Sequence, residues 1–587
     1  MPLAERRYPE PTDGLVPLLR PLTSYLFDRE ESDAPAFTYL DFSGGREAVE
    51  RTVTWAELAS KVRATAAELA RLTTPGQRVA ILAPQDLTYV VAFLGALHAG
   101  TIAVPLFAPE VSQHGERLVG ALTDSAPEIW LTSRGSLDAV RKLADASPVP
   151  MPKQIVAVDS LSESSVALEP VELSLDAPAY LQYTSGSTRA PAGAIITQRA
   201  VVTNSWQAAD GFGVDEAWTC AGWIPFFHDM GLIQMLCIPV LTGARSVFMT
   251  PFNFIMRPVR WLRQMSDYPS IYAAAPNFAF EYAARKIKKA DRAGLDLSGV
   301  RVIINGSEPV RASTITAFQE AFGEHGFALT AHRPSYGLAE ATVFVTCTDH
   351  DGPVVTAFDR AALSADKGVA VPRGTEGALE LVAAGNTTTQ LVRIVDPATG
   401  SLRAEGEVGE IWAHGPNIAD GYWRQPERSE ETFGGTLADA PAGLPESRWL
   451  RTGDLGLFHD GLLYITGRIK DLIIIDGKNH YPQDIEVTVR DAHPAVKQDR
   501  VAAFAVLSPQ GTEGVAVVAE YDRKAFPGEV DGDEVAKAVQ RAVSARHDVK
   551  LRGFQLVGPG GVQRTSSGKI ARAATKARFW PVAGERS

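Results

Sequence analysis

Tyr183-Thr184-Ser185-Gly186-Ser187-Thr188-Arg189-Ala190-Pro191-Ala192-Gly193 gathers four small hydroxyl side chains, two glycines and an arginine into one turn. Ala179-Tyr180-Leu181-Gln182 before it reads as a strand end, and Ala194-Ile195-Ile196-Thr197 after it reads as the start of the next strand. Glycines let a backbone approach an anion closely, and free N–H groups with hydroxyls then donate several hydrogen bonds to phosphate oxygens. The pattern is not a Walker loop, because no Gly-Lys-Ser/Thr follows and no helix opens directly behind it. Taken alone, the segment reads equally well as a flexible Ser/Gly hairpin loop.

Strand and helix patterns alternate around this loop. Thr54-Trp55-Ala56-Glu57 has capping-box form and opens a helix running to Leu69. Val79–Leu82 reads as a short buried strand, Leu87–His98 as an apolar helix stopped at Gly100, and Ala103–Leu106 as another strand. Arg301–Gly306 repeats the strand-into-glycine pattern. This rhythm predicts an α/β fold with parallel sheets and packed helices. Past residue 470, strands at 501–507 and 515–520, a helix at 534–546 and a strand at 554–557 predict a small α+β domain of about 115 residues. The division expected is 1–469 and 470–587. Two stretches, 348–384 and 434–447, read as loops, and the first is too long for an ordinary connector.

Bulk composition excludes several classes. The chain has 587 residues, 45% hydrophobic and 21% charged, ordinary values for a soluble globular protein. A net charge of −12 argues against general nucleic-acid binding. Cys220, Cys237 and Cys347 have no metal-type spacing and fit buried thiols in a reducing compartment. Neither a signal peptide nor an apolar run long enough to span a membrane is visible, so a cytoplasmic location is expected.

Three further segments join the loop: Pro334-Ser335-Tyr336-Gly337-Leu338-Ala339-Glu340-Ala341-Thr342; Trp449-Leu450-Arg451-Thr452-Gly453-Asp454-Leu455-Gly456 leading to Gly467-Arg468-Ile469-Lys470-Asp471; and Arg564-Thr565-Ser566-Ser567-Gly568-Lys569-Ile570. In this order the four resemble the adenylate-forming superfamily of acyl-CoA synthetases, luciferases and peptide-synthetase adenylation domains. The resemblance implies a large N-terminal adenylating domain and a small mobile C-terminal lid, with ATP and Mg²⁺ as cofactors. It assigns Thr184, Ser185, Gly186, Ser187, Thr188 and Arg189 to the triphosphate, and Gly306, Ser335, Tyr336 and Ala339 to the adenine slot. Asp454 and Arg468 fall to the ribose, and Glu340 to the metal, a hard ion suited to oxygen ligands. Lys569 becomes the catalytic ammonium that meets charge developing between carboxylate and α-phosphate, Lys470 the hinge, and His228 the group beside the substrate carboxylate. Each has a plainer reading as well: a surface glutamate, a buried core tyrosine, a solvated tail lysine, a core histidine among aromatics.

Finer details resemble one branch, the fatty-acyl-AMP ligases, over about residues 15–580, and are close to mycobacterial and corynebacterial enzymes that activate the meromycolic chain. The details are Leu181–Arg189, Phe226-Phe227-His228-Asp229-Met230-Gly231, Ala275-Pro276-Asn277-Phe278-Ala279-Phe280-Glu281, Asn305-Gly306-Ser307-Glu308-Pro309-Val310, and Gly467 through Asn479-His480-Tyr481-Pro482-Gln483-Asp484. Ala192 and Arg189 stand where many acyl-CoA synthetases have lysine and glycine, as they do in this branch. The stretch 348–384 falls where the branch carries an insertion that braces the two domains against accepting CoA. The implied activity is ATP-dependent activation of a long-chain fatty acid to an acyl-adenylate. The acyl group would then pass to the phosphopantetheine thiol of a polyketide synthase carrier domain, in mycolic acid or related lipid synthesis. A long-chain acyl-CoA synthetase and a non-catalytic nucleotide-binding scaffold are the other readings. Phe226, Phe227, Phe278 and Phe280 suit either an acyl channel or plain core. Arg285-Lys286-Ile287-Lys288-Lys289 suits either a docking site for an acidic carrier or a solvated helix face.

Overall fold

The structure is a computed structural model that describes residues 19–109, 115–162, 172–183, 191–349, 351–387, 389–475, 478–507, 513–523, 526, 530–564 and 569–580. Two large sheets form its frame. In the six-stranded sheet, Gln154–Ala157, Ile129–Thr132, Arg78–Ile81, Ile102–Pro105 and Pro178–Tyr183 run parallel, and Gly193–Thr197 closes the edge antiparallel to Pro178–Tyr183. The eight-stranded sheet runs parallel from His332–Gly337 through Val300–Gly306, Ile271–Pro276, Thr219–Gly222 and Arg245–Phe248 to Pro35–Asp41, with an antiparallel strand at each edge. Strands with both faces covered read as unbroken apolar runs, and Ile102–Pro105, Ile129–Thr132 and Ile271–Pro276 are buried at every position.

Helices Leu87–His98 and Gln198–Phe212 fill the space between the sheets and share one apolar cluster with both. Helix Trp55–Leu72 opens on the predicted capping box: Thr54 Oγ1 accepts the Glu57 N–H, and the Glu57 carboxylate accepts the Thr54 N–H. The predicted strands are present within a residue or two at most ends, and Leu87–His98 has the expected ends. Cys220, Cys237 and Cys347 are buried free thiols, pushed up by burial, Cys220 and Cys347 to about 12.

The stretch 348–384 is not a loop. It folds as a three-stranded antiparallel sheet, Ala370–Val371, Val355–Asp359 and Ala378–Val382, with helix Arg360–Ser364 between the first two strands in sequence. The sequence hides this because its glycines and prolines dominate the eye and the strands are short and without clean alternation. Phe358 and Leu363 pack into one apolar cluster with Leu457, Tyr464 and Tyr481. The stretch 434–447, by contrast, contains no named helix or strand.

A four-stranded antiparallel sheet, Leu391–Val395, Gly409–His414, Leu450–His459 and Leu462–Arg468, leads to the small C-terminal domain. There, strands Val496–Leu507, Glu513–Tyr521 and Leu551–Val557 pack on helices Pro482–Ala492 and Gly532–His547 around a separate apolar core. Polar ties link this domain to the rest. Arg360, on the helix that follows strand Val355–Asp359, forms an ion pair with Asp484, and Asn479 Nδ2 donates to Asp366 Oδ1 at 2.8 Å. Within the small domain, Arg572 bridges both Glu486 oxygens (2.7 and 2.8 Å) and Asp471 (3.0 Å). No helix among the described residues is long and apolar enough to cross a membrane.

Phe358 is fully buried, edge-on to Tyr464 at 5.2 Å. Truncating such a ring leaves a cavity that costs about 3–5 kcal/mol. Phe358→Ala is therefore expected to lower the urea midpoint of the transition that reports this sheet, and an unchanged midpoint would remove the sheet from the folded core.

Candidate active site

Parallel α/β sheets bind ligands outside the carboxyl ends of their strands, and the main cavity, about 1060 Å³, opens there. Gly306 ends strand Val300–Gly306 at its rim, and Ser335 and Tyr336 lie on the neighbouring strand His332–Gly337. A Cβ on Gly306 would stand 2.8 Å from the Ser335 carbonyl oxygen, so only hydrogen fits and the two backbones form a flat wall. Ser335 Oγ is turned onto the Thr346 carbonyl at 2.7 Å, which leaves the backbone and the Tyr336 ring to face the cavity. Ala339 and Glu340 follow on the turn Ala339–Ala341.

The sequence-predicted residues within the described set converge on this cavity: His228, Gly306, Ser335, Tyr336, Ala339, Glu340, Asp454, Arg468, Lys470 and Lys569 all line it. Thr184, Ser185, Gly186, Ser187, Thr188 and Arg189 lie outside the described residues, although Tyr183 and Pro191 on either side of that loop line the same cavity. Phe226 and Phe280 are fully buried core, whereas Phe227 faces the cavity. Arg285, Lys286, Lys288 and Lys289 are exposed, away from the cavity lining.

Asp454 is the polar centre of one wall. Its Oδ2 accepts the Tyr336 hydroxyl at 2.8 Å, and its Oδ1 lies 2.7 Å from Arg468 Nε. The carboxylate is 4% exposed, and its charge raises the Arg468 pKa. A carboxylate has about four lone-pair sites, so Asp454 keeps acceptor capacity after these two bonds.

Asp229 also lines the cavity and was not assigned from the sequence. Its Oδ1 lies 2.5 Å from Nδ1 of the assigned His228 and also accepts the Met230 N–H at 2.7 Å. Burial pushes the Asp229 carboxyl up, but His228, Lys569 and the Met230 N–H outweigh it and hold it below its usual range. Glu308 is the other missed residue. Its Oε1 accepts the Phe278 N–H at 2.5 Å, and burial raises its pKa. The Asn-Gly-Ser-Glu-Pro run flagged Glu308 as a family marker without giving it a task, and Asp229 was overshadowed by the histidine beside it.

Lys569 reaches this space from the small domain. Burial depresses its pKa, as does the positive charge of Arg468, while Asp229, Glu308 and Asp454 pull it back. The ammonium thus sits in a pocket with one competing cation and three carboxylates, an environment that holds a charge ready for an anionic partner. Lys470 also borders the cavity, depressed by burial and then by Arg468.

Glu340 Oε1 accepts the Tyr422 hydroxyl at 2.7 Å. Among the described residues no group of three His, Cys, Asp or Glu side chains could hold a metal ion. A lone carboxylate with hard oxygen donors fits Mg²⁺, which commonly takes one or two protein carboxylates together with ligand phosphates and water. Tyr422 was not foreseen, and nothing in its sequence surroundings marks it.

Because Asp229 stabilises the charged form of Lys569, Asp229→Asn is expected to lower the Lys569 pKa further. Labelling by an amine-reactive reagent across pH, read by peptide mass mapping, should then begin at lower pH than in the parent protein. An unmoved onset would separate the two residues electrostatically.

The model of the family described as "AMP-binding enzyme" matches residues 27–423. The chain is 42% identical to the long-chain-fatty-acid--AMP ligase FadD26 of Mycobacterium marinum, covering 93% of this chain and 94% of that one. It is 41% identical to the long-chain-fatty-acid--AMP ligase FadD32 of Mycolicibacterium smegmatis, covering 93% and 92%. Among solved structures, it resembles a fatty acyl-adenylate ligase from L. pneumophila in complex with acyl adenylate and pyrophosphate, with a TM-score of 0.73 and 32% identity over 93% of this chain and 94% of that one. The chain belongs to the AMP-binding enzyme family, within its long-chain-fatty-acid--AMP ligases.

Proposed function

We propose that this protein joins a long-chain fatty acid to AMP, with release of pyrophosphate, and passes the acyl group to the phosphopantetheine thiol of a polyketide synthase carrier domain in mycolic acid or related lipid synthesis. The observation that carries this reading is the position of Lys569, delivered by the small domain into a cavity already lined by Asp454, Glu340 and His228. The names of the relatives support the acid class, and the L. pneumophila complex supports the chemistry.

In the first step a carboxylate oxygen attacks the α-phosphorus, forming the acyl–phosphate bond while the bond to the β-phosphate oxygen breaks and pyrophosphate leaves. Negative charge grows between the two anions, and a fixed ammonium there favours the transition state over the separated reactants. Lys569 supplies it. Asp229 fixes the His228 ring beside the carboxylate, while Asp454 has free lone pairs for the ribose hydroxyls and Arg468 lies at its side. The flat wall of Gly306 and Ser335 suits an adenine plane, with Tyr336 and Ala339 beside it. The hydroxyl-rich loop from Thr184 to Arg189 is assigned to the triphosphate. Glu340 would hold Mg²⁺, which supplies charge neutralisation for the phosphates when bound.

Residues 470–587 form the lid in this reading, turning about Lys470 against an adenylating domain of 1–469. Ties from Arg360 to Asp484 and from Asp366 to Asn479 connect the insertion to the lid. They support a carrier thiol as acceptor over CoA, since a braced lid resists the rearrangement a second acceptor site requires. Three buried free thiols suit a reducing, cytoplasmic setting.

Mass spectrometry of the protein with ATP, Mg²⁺ and lauric acid should detect lauroyl-AMP that persists when CoA is added, and rapid conversion to lauroyl-CoA would make this a CoA synthetase. Lys569→Ala should slow adenylate formation by about a hundredfold or more with folding intact, and a parent-like rate would overturn its role. The double substitution Arg360→Met with Asp366→Ala should raise the share of acyl-CoA formed; no acyl-CoA from a folded, adenylating variant would count against the brace.

A further inference from the structure

The short helix Pro251–Met256 faces two ways. Phe254 turns inward, fully buried and stacked on Trp223 at 4.0 Å. Phe252, Ile255 and Met256 turn outward, 68%, 43% and 60% exposed. Their i, i+3, i+4 spacing puts them on one face, so the three make a convex apolar knuckle rather than scattered surface residues.

Charge around the knuckle runs against the rest of the molecule. Residues 251–264 contain Arg257, Arg260 and Arg263 and no acid, in a chain of net charge −12. The Tyr282 hydroxyl donates to the Ile255 carbonyl at 2.8 Å, which brings helix Asn277–Lys286 alongside. Arg285 and Lys286 stand one turn beyond Tyr282, and Lys288 and Lys289 follow, all exposed. Of these four, Arg285 has Glu281 nearby at 3.8 Å.

We infer that this face docks on an anionic lipid surface, with Phe252, Ile255 and Met256 entering the acyl boundary and the lysines and arginines meeting headgroup phosphates. Three side chains on a six-residue helix are far short of the roughly 800 Å² per partner of a stable protein interface. They are enough for lipid, where shallow apolar insertion and electrostatic attraction add. Such docking would set the enzyme where long-chain acids partition.

The test is sedimentation of the full chain with vesicles of phosphatidylcholine alone or mixed with phosphatidylglycerol. No nucleotide is present, so the result is independent of the adenylation reading. The parent should sediment with mixed vesicles and far less with phosphatidylcholine alone. Phe252→Ser/Ile255→Ser/Met256→Ser and Lys286→Glu/Lys288→Glu/Lys289→Glu should each weaken binding by about tenfold or more, with far-ultraviolet circular dichroism confirming folding. Failure of the parent to bind mixed vesicles overturns the inference, as does binding that survives both triple variants. Concentration-dependent self-association lost in the apolar variant, without vesicle binding, would overturn it too and assign the face to a second copy of the chain.

Discussion

The site depends on the balance of charges around one ammonium. Lys569 is pushed toward its neutral form by burial and by Arg468, while Asp229, Glu308 and Asp454 pull it back toward the charged form. None of these carboxylates lies near it in sequence. Asp229 follows the strand Thr219–Gly222, Glu308 follows Val300–Gly306, and Asp454 lies within Leu450–His459. Three separate stretches of the large domain therefore supply the charges that act on one lysine of the small domain.

The small domain is itself tied together by partly buried polar contacts. Arg572 on the last described helix joins Glu486 of helix Pro482–Ala492 to Asp471 near that domain's start. Removing one member of such a buried group costs about 3–5 kcal/mol, because the other charge is left without a partner. That price is higher than the net worth of the intact pair, so these contacts specify one arrangement more than they stabilise it.

Local rules made much of the frame legible. Thr54 and Glu57 announced a helix start through reciprocal hydrogen bonding, and the apolar run from Leu87 to His98 read as a helix stopped at Gly100. The three-stranded sheet within 348–384 was not legible, because its stability comes from Phe358 and Leu363 packing against Leu457, Tyr464 and Tyr481, partners about 90 to 120 residues away. At the site, residues embedded in dense motifs, such as Asp454 and Lys569, could be picked out by resemblance. Asp229 and Glu308 matter through the charges they face across the cavity, and Tyr422 through its bond to Glu340, relations that appear only once the chain is folded.

The wall at Gly306 and Ser335 has a consequence for how such a protein can diversify. Both surfaces are main chain at closest approach, and any side chain on Gly306 strikes a carbonyl oxygen. Point mutation has almost nothing to vary there, so recognition on that side is inherited rather than tuned. The wall bearing Phe227 is made of side chains and can be recut one residue at a time. Divergence among descendants of this scaffold is thereby channelled: one part of the cavity stays fixed by backbone geometry, and the room for new substrates lies in the other.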